Sequence, residues 1–416
     1  MTIYRLACST RDYAWGSTSL IPRFLGEPSD GQPQAELWAG AHPAAPSRLP
    51  DGRALGELIA SEAVSTLGAR THSRFGPRLP FLIKALAAAE PLSLQVHPTS
   101  ERARIGYAEE EAAGVPVDAP ERRYRDPFHK PELILAMTRF EGMAGFRDVD
   151  KTAEILGLLG TPWAEQTARR LTAGPAFQAL HHVVRDILAM ESDTLTTALA
   201  DIAAAALGAE ERSHQARRPS TRVALDRASV DREAIRVFAQ TIGLAERYPD
   251  DPGVLVTLLL NHVVLAPGEA MFLGAGVVHA YTSGFGIEIM AASDNVVRAG
   301  LTPKHVDVQE LLHIASFTPT PPPLWAPTEV GDGVQYFDPP VDEFALVVGD
   351  VVGDAPLEGV APEGPRIVLA LEGSVTARAG DGEERLDRGE VAFVPHDAGP
   401  LRVEGAGRVA IGVVPD

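Results

Sequence analysis

Four side chains in this chain of 416 residues carry metal-ligand chemistry at spacings that let them converge. In Leu92-Ser-Leu-Gln-Val-His97, strand alternation puts Ser93, Gln95 and His97 on one face and Leu92, Leu94 and Val96 on the other. Asp126-Pro-Phe-His-Lys-Pro-Glu132 leads into the apolar run Leu133-Ile-Leu135; as a strand entry it puts Lys130 and Glu132 on a shared face. A third segment, Gly268 to His279, reads as a glycine turn, an apolar strand and a second glycine pair before the histidine. Gln95, His97, Glu132 and His279 thus offer two imidazoles, one carboxylate and one amide oxygen. Such donors suit a four-coordinate zinc or another divalent first-row ion, with room for water or substrate. Each segment alone also has a plainer reading: a solvent-facing polar stripe, a surface glutamate, a histidine packed at a strand end. His181 and His182 point about 100° apart in a helical run and do not converge on one metal.

Strands must position these donors, and the composition places strands on both sides of a helical block. Residues 1–148 are rich in Gly and Pro, with short apolar runs broken by turn residues, and read as β structure with loops. Between 150 and 250, Lys151–Leu159, Ala176–Met190 and Leu195–Ala209 show Ala and Leu at helical spacing, with Asp150 and Ser192 or Asp193 as N-caps. The arginine-rich stretch Arg212–Arg227 interrupts them and reads as a solvated loop. Strand character returns at Val254–Leu260, Glu269–Phe272 and Gly286–Met290, and Thr318-Pro-Thr-Pro-Pro-Pro323 forms a stiff linker. The tail predicts short strands at Phe344–Val348, Arg366–Leu371, Ser374–Arg378, Val391–Val394 and Val409–Val413, a sandwich or barrel. Its Gly389-Glu390 turn echoes Gly268-Glu269. His396 has no upstream histidine pair, so the tail reads as metal-free.

Lysine and arginine number 37 and aspartate and glutamate 56, a net charge of −19. That excludes a generic nucleic-acid binder, but a few local lysines still hold one phosphate in an acidic protein. The single cysteine, Cys8, excludes an internal disulfide and a thiolate cage. No apolar stretch reaches the length of a membrane span and the first residues lack a signal-peptide core. The expectation is a reduced, cytoplasmic monomer whose partner is a small molecule, with neither nucleic acid nor membrane.

Six segments carry a resemblance. Tyr13-Ala-Trp-Gly-Ser17, Glu36-Leu-Trp-Ala-Gly-Ala-His-Pro43, Gln95-Val-His-Pro98, His129-Lys-Pro-Glu132, His279-Ala-Tyr281 and Asp294-Asn-Val-Val-Arg-Ala-Gly-Leu-Thr-Pro-Lys304 occur in order over about three hundred residues. Together they resemble the type I phosphomannose isomerases of the cupin superfamily, and Gly268–His279 is similar to the second cupin motif, with Gly274 where a proline is usual. The resemblance implies a mainly β protein with a helical insertion. Its parts are a cupin-type β-barrel (jelly roll) over 1–149 and 251–318, a helical domain over 150–250, and a metal-free cupin-like β domain over 324–416. It implies zinc held by Gln95, His97, Glu132 and His279, a catalytic arginine at Arg298, and interconversion of mannose 6-phosphate and fructose 6-phosphate.

That reaction needs a base, an electrophile for the enediolate and a phosphate anchor. Arg298, always charged and forked, suits the enediolate. Glu288, between two isoleucines, is the candidate base, since burial raises a carboxyl into a useful range, and Lys130 beside the metal is its competitor. Lys84 and Lys304 are candidate phosphate anchors, with Ser93 as a donor. Two other readings stay open at this point: another metal-dependent cupin enzyme acting on a phosphorylated sugar, and a sugar-phosphate-binding cupin without catalysis. A fused nucleotidyltransferase is excluded by length and by the lack of a Gly-rich nucleotide signature.

Overall fold

One long strand, His279–Ala291, organises the first β region of the computed structural model, which describes residues 2–214, 222–353, 356–359 and 363–415. Its second half lies between Phe81–Ala88 and Glu132–Ala136, both antiparallel. Its first half pairs with Phe140–Phe146 and, at His279, with Gln95 of Leu94–Val96. The change of partners comes at Gly284, at φ +122°, where a Cβ would stand 2.7 Å from the Arg139 carbonyl oxygen. Only glycine takes that conformation at that approach. The two halves of the resulting 11-stranded sheet pack face to face: Leu86, Ile134 and Met271 meet Phe140, Ala144, Val263 and Tyr281.

The tail forms a nine-stranded sheet that the N-terminus joins, with Tyr4–Leu6 antiparallel to Val391–Val394. The tail's Phe337, Phe344, Leu346 and Ile367 share a buried cluster with Phe81, Ile83, Ile287 and Ile289. The outward face of the first sheet is therefore covered, and all eight residues of Phe81–Ala88 are buried. Helices Val149–Gly157, Pro162–Leu171, Ala176–Leu188, Ser192–His214, Arg222–Arg247 and Gly253–Thr257 fill the middle of the chain. Their apolar side, including Ile155, Val184 and Val254, packs against Leu94, Val96 and Val297, so helices back the strands that bear Gln95 and Arg298. No helix among the described residues is long and apolar enough to cross a membrane.

Several expectations change. Val254–Leu260 is a helix, Gly253–Thr257, running into the strand Leu260–Leu265; a short, fully buried apolar run has no periodicity to tell the two apart. Asp148, not Asp150, caps its helix, accepting from the backbone N–H of Asp150 and Lys151. Within the first 148 residues Ser100–Ala112 is a helix, capped by the Thr99 hydroxyl. Ion pairs rather than an apolar stripe dock it: Arg102 with Glu310 at 2.7 Å and Arg122 with Glu110 at 3.2 Å. The two strands expected at Arg366–Leu371 and Ser374–Arg378 are one, Arg366–Ala379, because the intervening glycine, Gly373, lies beside a bulge rather than in a turn. The proline-rich segment is pinned down, Thr320 N–H to Phe146 and Phe272 N–H to Pro323. Of Arg212–Arg227, residues 215–221 lie outside the described residues; the flanks are helix ends rather than loop.

Candidate metal centre and substrate cleft

Strand pairing brings the donors together. His279 lies opposite Gln95, Met290 opposite Glu132, and Arg298 opposite Gln95 on the far side of its strand. His97 Nε2 is 3.3 Å from Glu132 Oε1 and His279 Nε2 is 3.4 Å from Glu132 Oε2. Gln95 Nε2 is 3.2 Å from His279 Nε2. One ligand atom each from His97, Glu132 and His279 falls within 4.8 Å of the others, and all three residues are buried.

Three observations fit this set to a metal ion. His97 Nδ1 faces the Asn295 carbonyl at 2.8 Å and His279 Nδ1 faces the Val277 carbonyl at 2.9 Å. A carbonyl only accepts, so both imidazoles carry hydrogen on Nδ1 and turn a bare Nε2 inward. His97 Nε2 and Glu132 Oε2 are buried with no hydrogen-bond partner, an arrangement costly without a ligand. Charge states agree as well. Burial, aided by the Lys130 charge, pushes His97 down to about 4, so it is neutral at pH 7. Burial opposes ionisation of Glu132, but the neighbouring Lys130 charge outweighs it and holds the carboxyl well below the usual range.

Lys130 donates to Glu132 at the edge of the donor set. Behind it lies a second buried cluster. Lys84 Nζ is 3.3 Å from Glu36 Oε1 and 3.1 Å from Glu288 Oε2. Trp38 Nε1 donates to Glu36 at 2.8 Å and Tyr281 Oη to Glu288 at 3.1 Å. Burial opposes the Lys84 charge, yet Glu288 and Glu36 raise its pKa, while burial raises that of Glu288.

On the helical side opens a cleft of about 960 Å³, lined by Trp15, Ser93, Arg247, Arg298 and Lys304 among others. Burial and then Arg125 lower the Arg298 pKa; burial, Arg298 and Arg125 lower that of Lys304; among the described residues no carboxylate offsets either. Uncompensated cations lining a cleft are a site for an anion. Of the residues singled out in the sequence, Gln95, His97, Glu132, His279 and Lys130 come together at the donor set. Ser93, Arg298 and Lys304 line the cleft, while Lys84 and Glu288 share the cluster behind it. Sequence reasoning gave no role to Glu36, Trp38, Asn295 or Arg125. Glu36, Trp38 and Asn295 stand in the segments that carry the family resemblance, which was the available signal. Arg125 stands in none of them.

A buried histidine–carboxylate set with oriented imidazoles, beside a cleft of uncompensated cations, defines a metal-dependent enzyme for an anionic substrate. The family model for the phosphomannose isomerase type I catalytic domain matches residues 3–149. The chain is 37% identical over 414 residues to the mannose-6-phosphate isomerase of Escherichia coli (strain K12), covering 98% of each. It is 34% identical to that of Rattus norvegicus, covering 94% and 93%. The crystal structure of the Salmonella typhimurium mannose 6-phosphate isomerase bound to substrate and zinc superposes with a TM-score of 0.86 at 36% identity, each chain covered in full. The chain belongs to the mannose-6-phosphate isomerase family, the type I phosphomannose isomerases.

Proposed function

We propose that this chain is a zinc-dependent aldose–ketose isomerase that interconverts mannose 6-phosphate and fructose 6-phosphate through an enediol. The observation that carries the reading is the pair of bare, oriented Nε2 atoms beside an unpaired buried carboxylate oxygen, adjoining a cationic cleft. We assign the catalytic domain, residues 1–149 and 251–318, to a cupin-type barrel, 150–250 to a helical domain, and 324–416 to a C-terminal cupin-like domain. The strand Tyr4–Leu6 is lent to that C-terminal domain's sheet.

His97, Glu132 and His279 hold the zinc, with Gln95 as fourth ligand once its amide is turned oxygen-inward. Bound zinc supplies a Lewis acid for the sugar's carbonyl and hydroxyl oxygens. Glu288 takes the proton from C2 of the open-chain aldose and returns it to C1; burial keeps its carboxyl basic enough for that task. Lys130 moves the proton between the two oxygens. Arg298 holds the enediolate charge with a group that stays ionised. Lys304 anchors the phosphate, with Ser93 as hydrogen-bond donor and the nearby Arg125 charge adding to the positive field. Lys84 is better suited to a counter-ion for Glu36 and Glu288 than to a phosphate, since both carboxylates already occupy it. The helical domain walls the cleft through Leu188, Arg247 and Tyr248 and limits water at the enediol.

A coupled assay on mannose 6-phosphate, run before chelation, after chelation and after zinc add-back, tests the activity. Run in deuterated water it also tests the base. Glu288→Gln should abolish deuterium incorporation at the transferred position, whereas Lys130→Met should slow turnover and leave some exchange. Full exchange in Glu288→Gln refutes that assignment. A wild-type protein with no zinc-dependent turnover refutes the isomerase.

A further inference from the structure

The C-terminal domain supports the charged residues of the site from outside. Lys84 and Glu288 sit in the buried charge cluster, while their neighbours Ile83 and Ile289 pack in the cluster that holds Phe337, Phe344 and Ile367 of the tail. A Cβ added at Gly412 would lie 2.7 Å from Ile83 Cδ1 and 3.1 Å from Ile289 Cδ1, so the two sheets meet without a gap.

The segment that carries Lys130 is supported differently. It precedes the strand Glu132–Ala136, and Pro131 has no N–H to give to a ladder; its carbonyl accepts from Ala291 at 3.1 Å. The outward residue here is polar, His129, and the tail reaches it with a polar side chain. His129 Nε2 donates to Glu343 Oε1 at 2.7 Å, since an ionised carboxylate can only accept. Glu343 precedes Phe344, which is fully buried in the shared cluster, so its backbone is fixed. The Glu343 side chain is 13% exposed and that of His129 21%, which shields the contact from solvent. Asp342, next to it, pairs with Arg74 of the first domain. Opposite sides of one short segment are thus held at once: His129 by the tail, and Lys130 by Glu132 in the site.

We propose that Glu343 is a positioning residue: through His129 it fixes the Lys130 ammonium at the rim of the donor set, and the C-terminal domain thereby completes the active site. The proposal rests on the reading of Lys130 as the group that moves the oxygen proton. It gives the tail a role in the reaction without a metal of its own.

The test uses the zinc-loaded full chain as wild type, Glu343→Ala, Glu343→Gln, His129→Ala and the Glu343→Ala/His129→Ala double variant. Four quantities are measured on each sample: kcat and KM for mannose 6-phosphate, zinc content and melting temperature. Glu343→Ala should lower kcat roughly tenfold, the low end for residues that orient a metal site, with KM and zinc content unchanged. Glu343→Gln should recover most of the loss, because its amide oxygen accepts the same hydrogen bond. His129→Ala should match Glu343→Ala, and the double variant should be no slower than either, as expected for partners in one contact. The proposal is overturned by wild-type kcat in Glu343→Ala, by a Gln variant as slow as the Ala variant, by losses that multiply in the double variant, or by zinc loss that tracks kcat. Should Glu343→Ala not fold, His129→Ala carries the test alone, and wild-type kcat at full zinc there overturns it. Absence of turnover in the wild type refutes the isomerase reading instead, because the inference is read from ratios to wild type.

Discussion

Lys84→Met separates two roles for the most enclosed ammonium in the protein. Methionine keeps a flexible stem of similar length and removes the charge. Lys84 Nζ stands 3.3 Å from Glu36 and 3.1 Å from Glu288, with side-chain exposures of 7%, 7% and 2% for Lys84, Glu36 and Glu288. At those distances and an effective dielectric constant of about 20, each attraction is roughly 5 kcal/mol before desolvation is counted. Desolvation offsets much of it, and removing one partner of such a buried pair costs about 3–5 kcal/mol. The variant's easiest relief is a proton on Glu288, whose pKa burial already raises. A carboxyl whose folded pKa lies above its unfolded value destabilises the fold once pH passes the unfolded value, and most above the folded one. The Lys84→Met penalty should therefore be largest near pH 8 and shrink towards pH 5. Glu288→Gln in the same chain should recover part of it. Urea unfolding of zinc-matched samples at the two pH values measures this. A phosphate anchor behaves otherwise, because its loss raises KM and leaves the fold alone. A Lys84→Met protein with wild-type stability at pH 8 and a raised KM would return Lys84 to the phosphate.

Arg298→Ala should lower kcat on the order of 10²-fold or more, as for a lost oxyanion donor, while Lys304→Ala chiefly raises KM. Neither residue is in the donor set, so zinc content should match wild type, and steady-state kinetics on zinc-assayed samples decides between the roles. Chelation should abolish turnover and lower the melting temperature, and zinc should restore both, because His97 Nε2 and Glu132 Oε2 are otherwise buried without partners. Acid should also destabilise the fold through His262, which burial and then Arg147 push down to about 3. Its stabilising contribution is fully present above the unfolded value near pH 6.5 and is lost as pH falls towards 3, at about 1.4 kcal/mol per unit. His262→Leu should flatten the fall of urea midpoints over that window; an unchanged slope removes His262 as the cause.

The clustering of Gln95, His97, Glu132 and His279 was legible because strand alternation and donor chemistry survive in the sequence. Ser93, Gln95 and His97 share a face whatever the strand's partners are, and a second imidazole and a carboxylate recur at strand positions. What a linear reading could not supply was the partner of each charge. Lys84 follows Phe81-Leu-Ile, so an idle charge there looks costly and suggests a ligand. The structure instead places Glu36 against it, 48 residues away in sequence, and Glu288 across the strand pair. The order of β region, helices and β region was likewise legible from composition. The helix Ser100–Ala112 was not, because it is docked by ion pairs from Arg102 and Arg122 and carries little apolar periodicity. Val254–Leu260 failed for the opposite reason, being apolar on every side.

Alternation also explains why the tail bears on the reaction site. In a sheet with solvent behind it, the residues flanking Lys84 and Glu288 would be polar and replaceable. Here Ile83, Ala85, Ile287 and Ile289 are buried against the C-terminal sheet. A strand covered on both faces cannot slip by one residue without driving Lys84 or Glu288 into that apolar layer. The covering sheet therefore fixes register, and register is what sets His279 opposite Gln95 and Met290 opposite Glu132. Where the ladder is interrupted by Pro131, packing cannot do this, and the His129–Glu343 hydrogen bond takes over at the polar outward residue His129. Apolar contact and one polar contact thus hold the same group of charges from behind, and the activity of Glu343 variants measures how much of that support the chemistry uses.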